Sequence, residues 1–112
     1  MTPNRGEIWL VDFGEPIGRE PAWQRPALVV SDDLLNQGPS GVVIVVPLTT
    51  RHRDIPSHIE IDADQSGLDD TSYARCEDVR SLSVNRLVTR VGHAPPEAIH
   101  DIERALRFLL GL

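Results

Sequence analysis

The stretch Trp23-Gln24-Arg25-Pro26-Ala27-Leu28-Val29-Val30 decides the fold, because its second half is an apolar run that predicts a buried strand. Pro26 has no N–H group to donate to a sheet, so we expect it at the first residue of that strand. Proline also favours an extended backbone at Arg25. The pattern predicts a cation beside an aromatic ring where a loop enters a strand, an arrangement suited to phosphate binding. The alternative is that Arg25 is only a solvated loop end.

Length and composition restrict the class of protein. The 112 residues predict one domain over residues 1–112, with a mainly aliphatic core because only 4% are aromatic. The formal net charge of −6 argues against a protein coated by nucleic acid, although it allows a local basic groove. All 11 basic residues are arginine, which either suits phosphate groups or reflects a GC-rich genome.

Cysteine content and hydropathy bear on the location of the protein. Cys76 is the single cysteine, so no internal disulfide is possible. No apolar stretch is long enough to span a membrane, and the first residues lack the apolar core of a signal peptide. We therefore expect a cytoplasmic protein with no membrane contact.

Hydrophobic patterning predicts a small, mostly antiparallel sheet. We expect strands over residues 5–13, 27–31, 42–48, 57–62 and 72–80, and shorter extended pieces over 81–83 and 88–92. The first strand is apolar on both faces, so it is central or covered by a partner. Residues 31–36 predict a cap followed by a short helix. Between the first two strands, residues 14–22 form a loop with two prolines and two glycines.

The last segment has helical periodicity. Pro95, Pro96 and Glu97 are typical of a helix start. Apolar residues then recur on one face, namely Ile99, Ile102, Ala105, Leu106 and Leu109. The sheet is therefore expected to curl into a partial barrel against which this C-terminal helix packs.

Three predicted strand ends supply candidate chemistry. Arg25 opens the second strand and Thr49 closes the long apolar strand, and an arginine fork with a hydroxyl suits a phosphate. Arg75 and Glu77 would share one face of the charged strand, with Glu77 a possible proton acceptor. The alternative is a surface ion pair between them. Trp23 could stack a nucleobase or simply anchor its loop.

A metal site is not expected. His52 and His58 are close in sequence, with Asp54 between them, but zinc requires further ligands. No other metal or cofactor motif is present in the sequence.

Several segments, in this order and spacing, resemble the MazF/PemK/Kid toxins of bacterial toxin–antitoxin pairs. They are residues 5–11 (RGEIWLV), 18–20 (GRE), 24–30 (QRPALVV), 46–50 (VPLTT) and 75–82 (RCEDVRSL). The resemblance covers essentially the whole chain. It implies an SH3-like, partly open antiparallel β-barrel with a C-terminal α-helix, assembled as a homodimer and bound by a cognate antitoxin protein.

The resemblance also implies a reaction. Members of the family are endoribonucleases that cut single-stranded RNA at short sequences and so inhibit translation and growth. Cleavage uses no metal or other cofactor: the 2′-hydroxyl attacks the adjacent phosphate, leaving a 2′,3′-cyclic phosphate and a 5′-hydroxyl.

By position, Arg25 and Thr49 match the family's catalytic arginine and threonine, and Arg75 and Glu77 match an acid–base pair of some members. Some members carry a histidine where this chain has Arg19, so the identity of the general base is left open. RNA contacts are expected from loops 14–24 and 51–57 and from adjoining residues, with acids elsewhere. These residues are Arg19, Glu20, Trp23, Gln24, Thr50, Arg51, Arg53 and Asp78.

Two other functions remain open at this point. A related toxin family on the same barrel poisons DNA gyrase, and fold alone cannot separate the two. A gyrase poison should act through its C-terminal residues, whereas residues 108–112 predict ordinary helix packing. A degenerate member that binds only RNA or an antitoxin is the third possibility. A dimer is also favoured by the two-faced first strand and the surplus leucines at the helix end.

Overall fold

The computed structural model describes residues 2–15, 17–18 and 23–112. Its strands are β1 Glu7–Asp12, β2 Gln24–Val29, β3 Val42–Thr49, β4 His58–Ile61, β5 Ser72–Arg75, β6 Arg80–Ser83 and β7 Leu87–His93. Its helices are α1 Asp33–Asn36, α2 Ala63–Ser66 and α3 Pro96–Leu110. Short 3-10 turns cover Cys76–Asp78 and Val84–Arg86. Among the described residues, no helix is long and apolar enough to cross a membrane.

The strands form one antiparallel sheet in the order β4-β5-β3-β2-β1-β7, with β6 also paired to β3. The strands β4 and β7 are its two ends, so the barrel is partly open, and α3 follows the last strand. This arrangement confirms the predicted fold class. Two apolar clusters lie on opposite faces of β1: Ile8 belongs to the cluster beneath α3, whereas Trp9 and Val11 belong to the other. Of the two alternatives predicted for the first strand, the structure shows the central one, because β1 lies between β2 and β7.

The sequence suggested that Pro26 begins its strand. This is wrong, because β2 starts two residues earlier. The Phe13 N–H donates to the Trp23 carbonyl at 2.8 Å, and the Trp23 N–H donates to Gly14 at 2.7 Å. Backbone groups alternate in direction along a strand, so the Pro26 nitrogen points away from β1. Pairing of β2 with β3 begins only at Ala27, so no ladder hydrogen bond is lost.

The prediction of one strand over residues 72–80 is wrong. Ala74 pairs with Leu48 and Arg80 pairs with Val45, so six steps along the chain span only three steps of β3. The 3-10 turn Cys76–Asp78 takes up the excess length.

The end of α3 also differs from expectation. Ala98 and Ile102 are buried against the sheet, but Phe108 is 86% exposed and Leu112 is 82% exposed. Residues 108–112 therefore do not show ordinary helix packing, since Phe108, Leu110 and Leu112 are exposed.

Candidate active site

Arg25 and Thr49 come together through the pairing of β2 with β3. The last pair between these strands is Ala27 with Pro47. Arg25 precedes Ala27 by two residues and Thr49 follows Pro47 by two, so both lie just beyond the same end of the ladder, and strand alternation points both side chains to one face. Arg25 is exposed and has no ion pair or side-chain hydrogen bond within the described part of the chain. A fixed backbone thus presents an unpaired guanidinium beside a hydroxyl.

The next strand extends this face. Thr49 pairs directly with Tyr73, and the register continues from there to Arg75. Thr49 Oγ1 accepts a hydrogen bond from the Arg51 N–H at 3.1 Å, which fixes the start of the loop that follows β3. In that loop the ring of His52 stacks on Tyr73, with centroids 4.8 Å apart and planes 7° apart. The hydroxyl of Thr49 is therefore tied to the basic loop after β3, and Thr49 pairs with the tyrosine on which His52 stacks.

Arg75 and Glu77 do not pair with each other, so the alternative of a surface ion pair between them is wrong. The 3-10 turn rotates Glu77 out of the strand register, so the two side chains do not share a strand face. Arg75 instead forms an ion pair with Asp78, with Nη2 and Oδ2 2.7 Å apart. The expectation that acids lie away from the basic groove is wrong at this point, since Glu77 and Asp78 adjoin Arg75 in the chain.

Both oxygens of Glu77 are engaged. Ser57 Oγ donates to Oε1 at 2.8 Å, and His58 Nε2 lies 2.6 Å from Oε2. Partial burial alone would raise the pKa of Glu77, but the hydrogen bonds from His58 and Ser57 outweigh it and lower the pKa below its ordinary value. Burial and the charge of Glu77 raise the pKa of the neighbouring Cys76 to about 12, so this thiol is not a nucleophile at neutral pH.

The residues expected to contact RNA divide into four groups, one of which is Asp78, in its ion pair with Arg75. Trp23, at 63% exposure, and Gln24 lie at the solvent-facing start of β2. Thr50, Arg51 and Arg53 are exposed in the loop after β3. Arg19 and Glu20 lie outside the described residues.

The two candidate metal-binding histidines have separate contacts. Among residues 2–15, 17–18 and 23–112, no cluster of His, Cys, Asp and Glu could hold a metal ion. His52 stacks on Tyr73, and His58 bonds to Glu77. The second contact was missed by sequence reasoning. Alternation over residues 57–62 indicated only that His58 lies on the polar face, whereas its partner depends on the pairing of β4 with β5.

An apolar groove lies between α3 and the segment leading into β4. Its volume is about 620 Å³. Its apolar walls are Ile55, Ile59, Ala105, Phe108 and Leu109, and polar groups include Ser57, Asp101 and Arg104.

A family model for the PemK-like, MazF-like toxins of type II toxin–antitoxin systems matches residues 4–110. Endoribonuclease MazF9 of Mycobacterium tuberculosis is 34% identical over 113 residues, covering 96% of each chain. Endoribonuclease EndoA of Bacillus subtilis is 28% identical over 113 residues, covering 100% of this chain and 97% of the relative.

Solved structures agree with these sequence matches. The crystal structure of MazF from Deinococcus radiodurans has a TM-score of 0.88 at 25% identity, covering 100% of this chain and 99% of the other. A mycobacterial endoribonuclease in complex with its cognate antitoxin has a TM-score of 0.82 at 28% identity, covering 98% and 96%. These matches give the gyrase alternative no support.

Proposed function

Because the chain belongs to the PemK-like and MazF-like toxins of type II toxin–antitoxin systems, we propose that it is an endoribonuclease that cuts single-stranded RNA without a metal ion. The observation that supports this proposal is that Arg25 and Thr49 flank the same end of the β2–β3 ladder. An exposed cation and a hydroxyl donor on rigid strands suit the charge that builds on a phosphate during phosphoryl transfer.

The proposed reaction is an internal transesterification. The 2′-oxygen forms a bond to phosphorus while the bond from phosphorus to the 5′-oxygen breaks, giving a 2′,3′-cyclic phosphate and a 5′-hydroxyl. Glu77 accepts the proton of the 2′-hydroxyl, Arg75 donates one to the leaving 5′-oxygen, and solvent carries the proton from Glu77 back to Arg75, so no net proton is consumed. Arginine is a poor base because its pKa is above about 12. A carboxylate with a lowered pKa is ionised at neutral pH and is available as an acceptor.

Arg25 and Thr49 stabilise the transition state rather than transfer protons. The guanidinium of Arg25 offers two parallel N–H groups to the non-bridging phosphate oxygens. Thr49 donates its hydroxyl hydrogen to one of them while Oγ1 still accepts from the Arg51 N–H. Removing one such donor from an active site typically lowers kcat by about 10²–10³-fold.

RNA enters across the face that bears Arg25. Arg51 and Arg53 contact phosphates from the loop after β3, and Trp23 stacks a base. The proposed RNA-contacting set also includes Arg19, Glu20, Gln24, Thr50 and Asp78. Together with loops 14–24 and 51–57, these residues recognise the cleavage sequence.

The biological role follows from this activity. RNA cleavage inhibits translation and growth, and a cognate antitoxin protein covers the same face to block it. A homodimer buries the apolar groove beside Phe108, since large exposed apolar patches on a protein surface mark interaction sites.

The proposal is tested by incubating a long single-stranded RNA with purified protein in EDTA. We expect discrete cuts ending in cyclic phosphate, abolished in Arg25→Ala. Arg107→Ala removes an exposed arginine from the last turn of α3 and should cut like the wild type. Failure of the folded wild type to cut any of several RNAs would contradict the proposal. Equal cutting by Arg25→Ala would remove Arg25 from the site.

A further inference from the structure

His58 occupies an unusual position beside the proposed site. It pairs with Arg75 across β4 and β5, and its side chain is only 3% exposed. Its Nε2 atom lies 2.6 Å from Glu77 Oε2. Its Nδ1 atom is buried and has no hydrogen-bond partner among the described residues.

The direction of the hydrogen bond follows from the chemistry of its partner. An ionised carboxylate can only accept, so the His58 Nε2–H is the donor. Because Nε2 is occupied and Nδ1 is buried, neither ring nitrogen faces a substrate. Any role of His58 in the reaction must therefore pass through Glu77.

We infer that His58 is a positioning residue that, together with Ser57, holds the Glu77 carboxylate ionised and oriented to accept the 2′-hydroxyl proton. The inference rests on the proposed function and identifies the residues that prepare the general base of the proposed reaction. Each Glu77 oxygen keeps a second lone pair, and the side chain is 36% exposed, so an acceptor site is still open to RNA.

Glu77 needs such support because of where it lies. Its backbone is part of a 3-10 turn rather than a strand, and its long side chain has several rotamers to lose. Burial works against its ionisation, and the bonds from His58 and Ser57 overcome that effect. Loss of the His58 donor would both free the side chain and raise the pKa of the carboxylate.

Other charged groups lie near this pair. Arg75 and Asp78 form their own ion pair beside it. From α3, Asp101 and Arg104 line the groove that also includes Ser57. Within the pair itself, the direct hydrogen bond at 2.6 Å gives His58 the largest effect on the pKa of Glu77 after burial.

The test compares His58→Phe, His58→Gln and wild type in steady-state cleavage of one RNA across pH. Phenylalanine keeps ring volume without a donor, whereas the glutamine amide can donate to Glu77. We expect His58→Phe to lower kcat by about 10–100-fold with KM nearly unchanged, because a misplaced base costs rate rather than binding. The acid limb of its kcat/KM profile should move to higher pH. His58→Gln should recover most of the rate, and His100→Phe, on the exposed side of α3, should match the wild type.

A rate and acid limb for His58→Phe equal to those of the wild type would overturn the inference while leaving the proposed ribonuclease intact. An inactive wild type would instead overturn the proposed function itself.

A second measurement uses only the wild-type protein, so it does not depend on whether a variant folds. The ¹⁵N shifts of the His58 ring in the wild type should show a proton on Nε2. A proton on Nδ1 alone would overturn the inference.

Discussion

Arg25 and Thr49 flank the same end of the β2–β3 ladder, each two residues beyond its last pair, Ala27–Pro47. Both side chains lie on the face that continues through Tyr73 of β5. The main chain of each residue pairs with at least one neighbouring strand, Arg25 with β1 and Thr49 with β5. The two side chains are therefore held by sheet hydrogen bonds rather than by mobile loops. Such preorganisation is what stabilisation of a charged transition state requires.

Trp23→Ala should weaken RNA binding with little change in kcat. The ring is 63% exposed at the start of β2, and stacking of one base contributes about 1–3 kcal/mol. KM for a short RNA should therefore rise roughly fivefold to a hundredfold. Trp23→Phe keeps a stacking surface and should stay much closer to the wild type. An unchanged KM in Trp23→Ala would assign the ring to loop anchoring instead.

Much of the architecture could be predicted from local pattern. Three patterns can each be seen within a single segment: apolar residues on both faces of β1, branched side chains along β3 and helical spacing in α3. These patterns predict which residues are buried. The positions of Arg25 and Thr49 at strand ends followed from the same patterns.

The missed features depend on register between distant segments. The 3-10 turn at Cys76–Asp78 exists because β5 and β6 pair with β3 at positions that leave excess chain between them. The bond from His58 to Glu77 joins residues 19 apart and depends on the pairing of β4 with β5. Neither register is encoded in a local pattern, so the sequence alone could not exclude the alternative of an Arg75–Glu77 ion pair.

Glu77→Gln should reduce stability in a pH-dependent way. The folded-state pKa of Glu77 is lowered, so its ionised form stabilises the fold above the ordinary carboxyl pKa, and this contribution is lost as pH falls. Wild type should have the higher free energy of unfolding in urea at pH 7, with the difference shrinking on acidification below about pH 4.5. Glu60→Gln alters an exposed carboxylate and serves as the control. A difference that is constant across pH would contradict the prediction.

Gly92→Ala should destabilise the fold through a steric clash. An added Cβ would lie 1.8 Å from the Ser66 carbonyl oxygen, so α2 would have to move away from β7. We expect a loss of about 3 kcal/mol in urea unfolding, at the upper end for overpacking. In Gly41→Ala the added Cβ meets nothing within 4 Å, although φ is +72°, so only the backbone cost of roughly 1–2 kcal/mol should appear. Equal losses in the two variants would show that the close approach to Ser66 is unimportant.

Phe108→Glu should convert the proposed homodimer into a monomer without unfolding it. Phe108 is 86% exposed, so a charge costs little in the free chain but is buried at a dimer interface. Sedimentation at micromolar concentration should show a dimer for the wild type and a monomer for this variant. Leu34→Glu, at a site 87% exposed on α1, should remain dimeric. A wild-type monomer, or a dimeric Phe108→Glu, would place the interface elsewhere or remove it.

The central claim is that a 2′-hydroxyl attacks a phosphate held by Arg25 and Thr49. It is tested most directly on a short RNA containing one mapped cut site, in all-ribose form and with a single 2′-deoxyribose at the nucleotide 5′ to the cut. In EDTA, wild type should cut the first to a cyclic phosphate and leave the second intact. Thr49→Ser should retain most of the rate, and Thr49→Val should lose about 10²–10³-fold. Equal cutting of both RNAs, or full activity in Thr49→Val, would contradict the account.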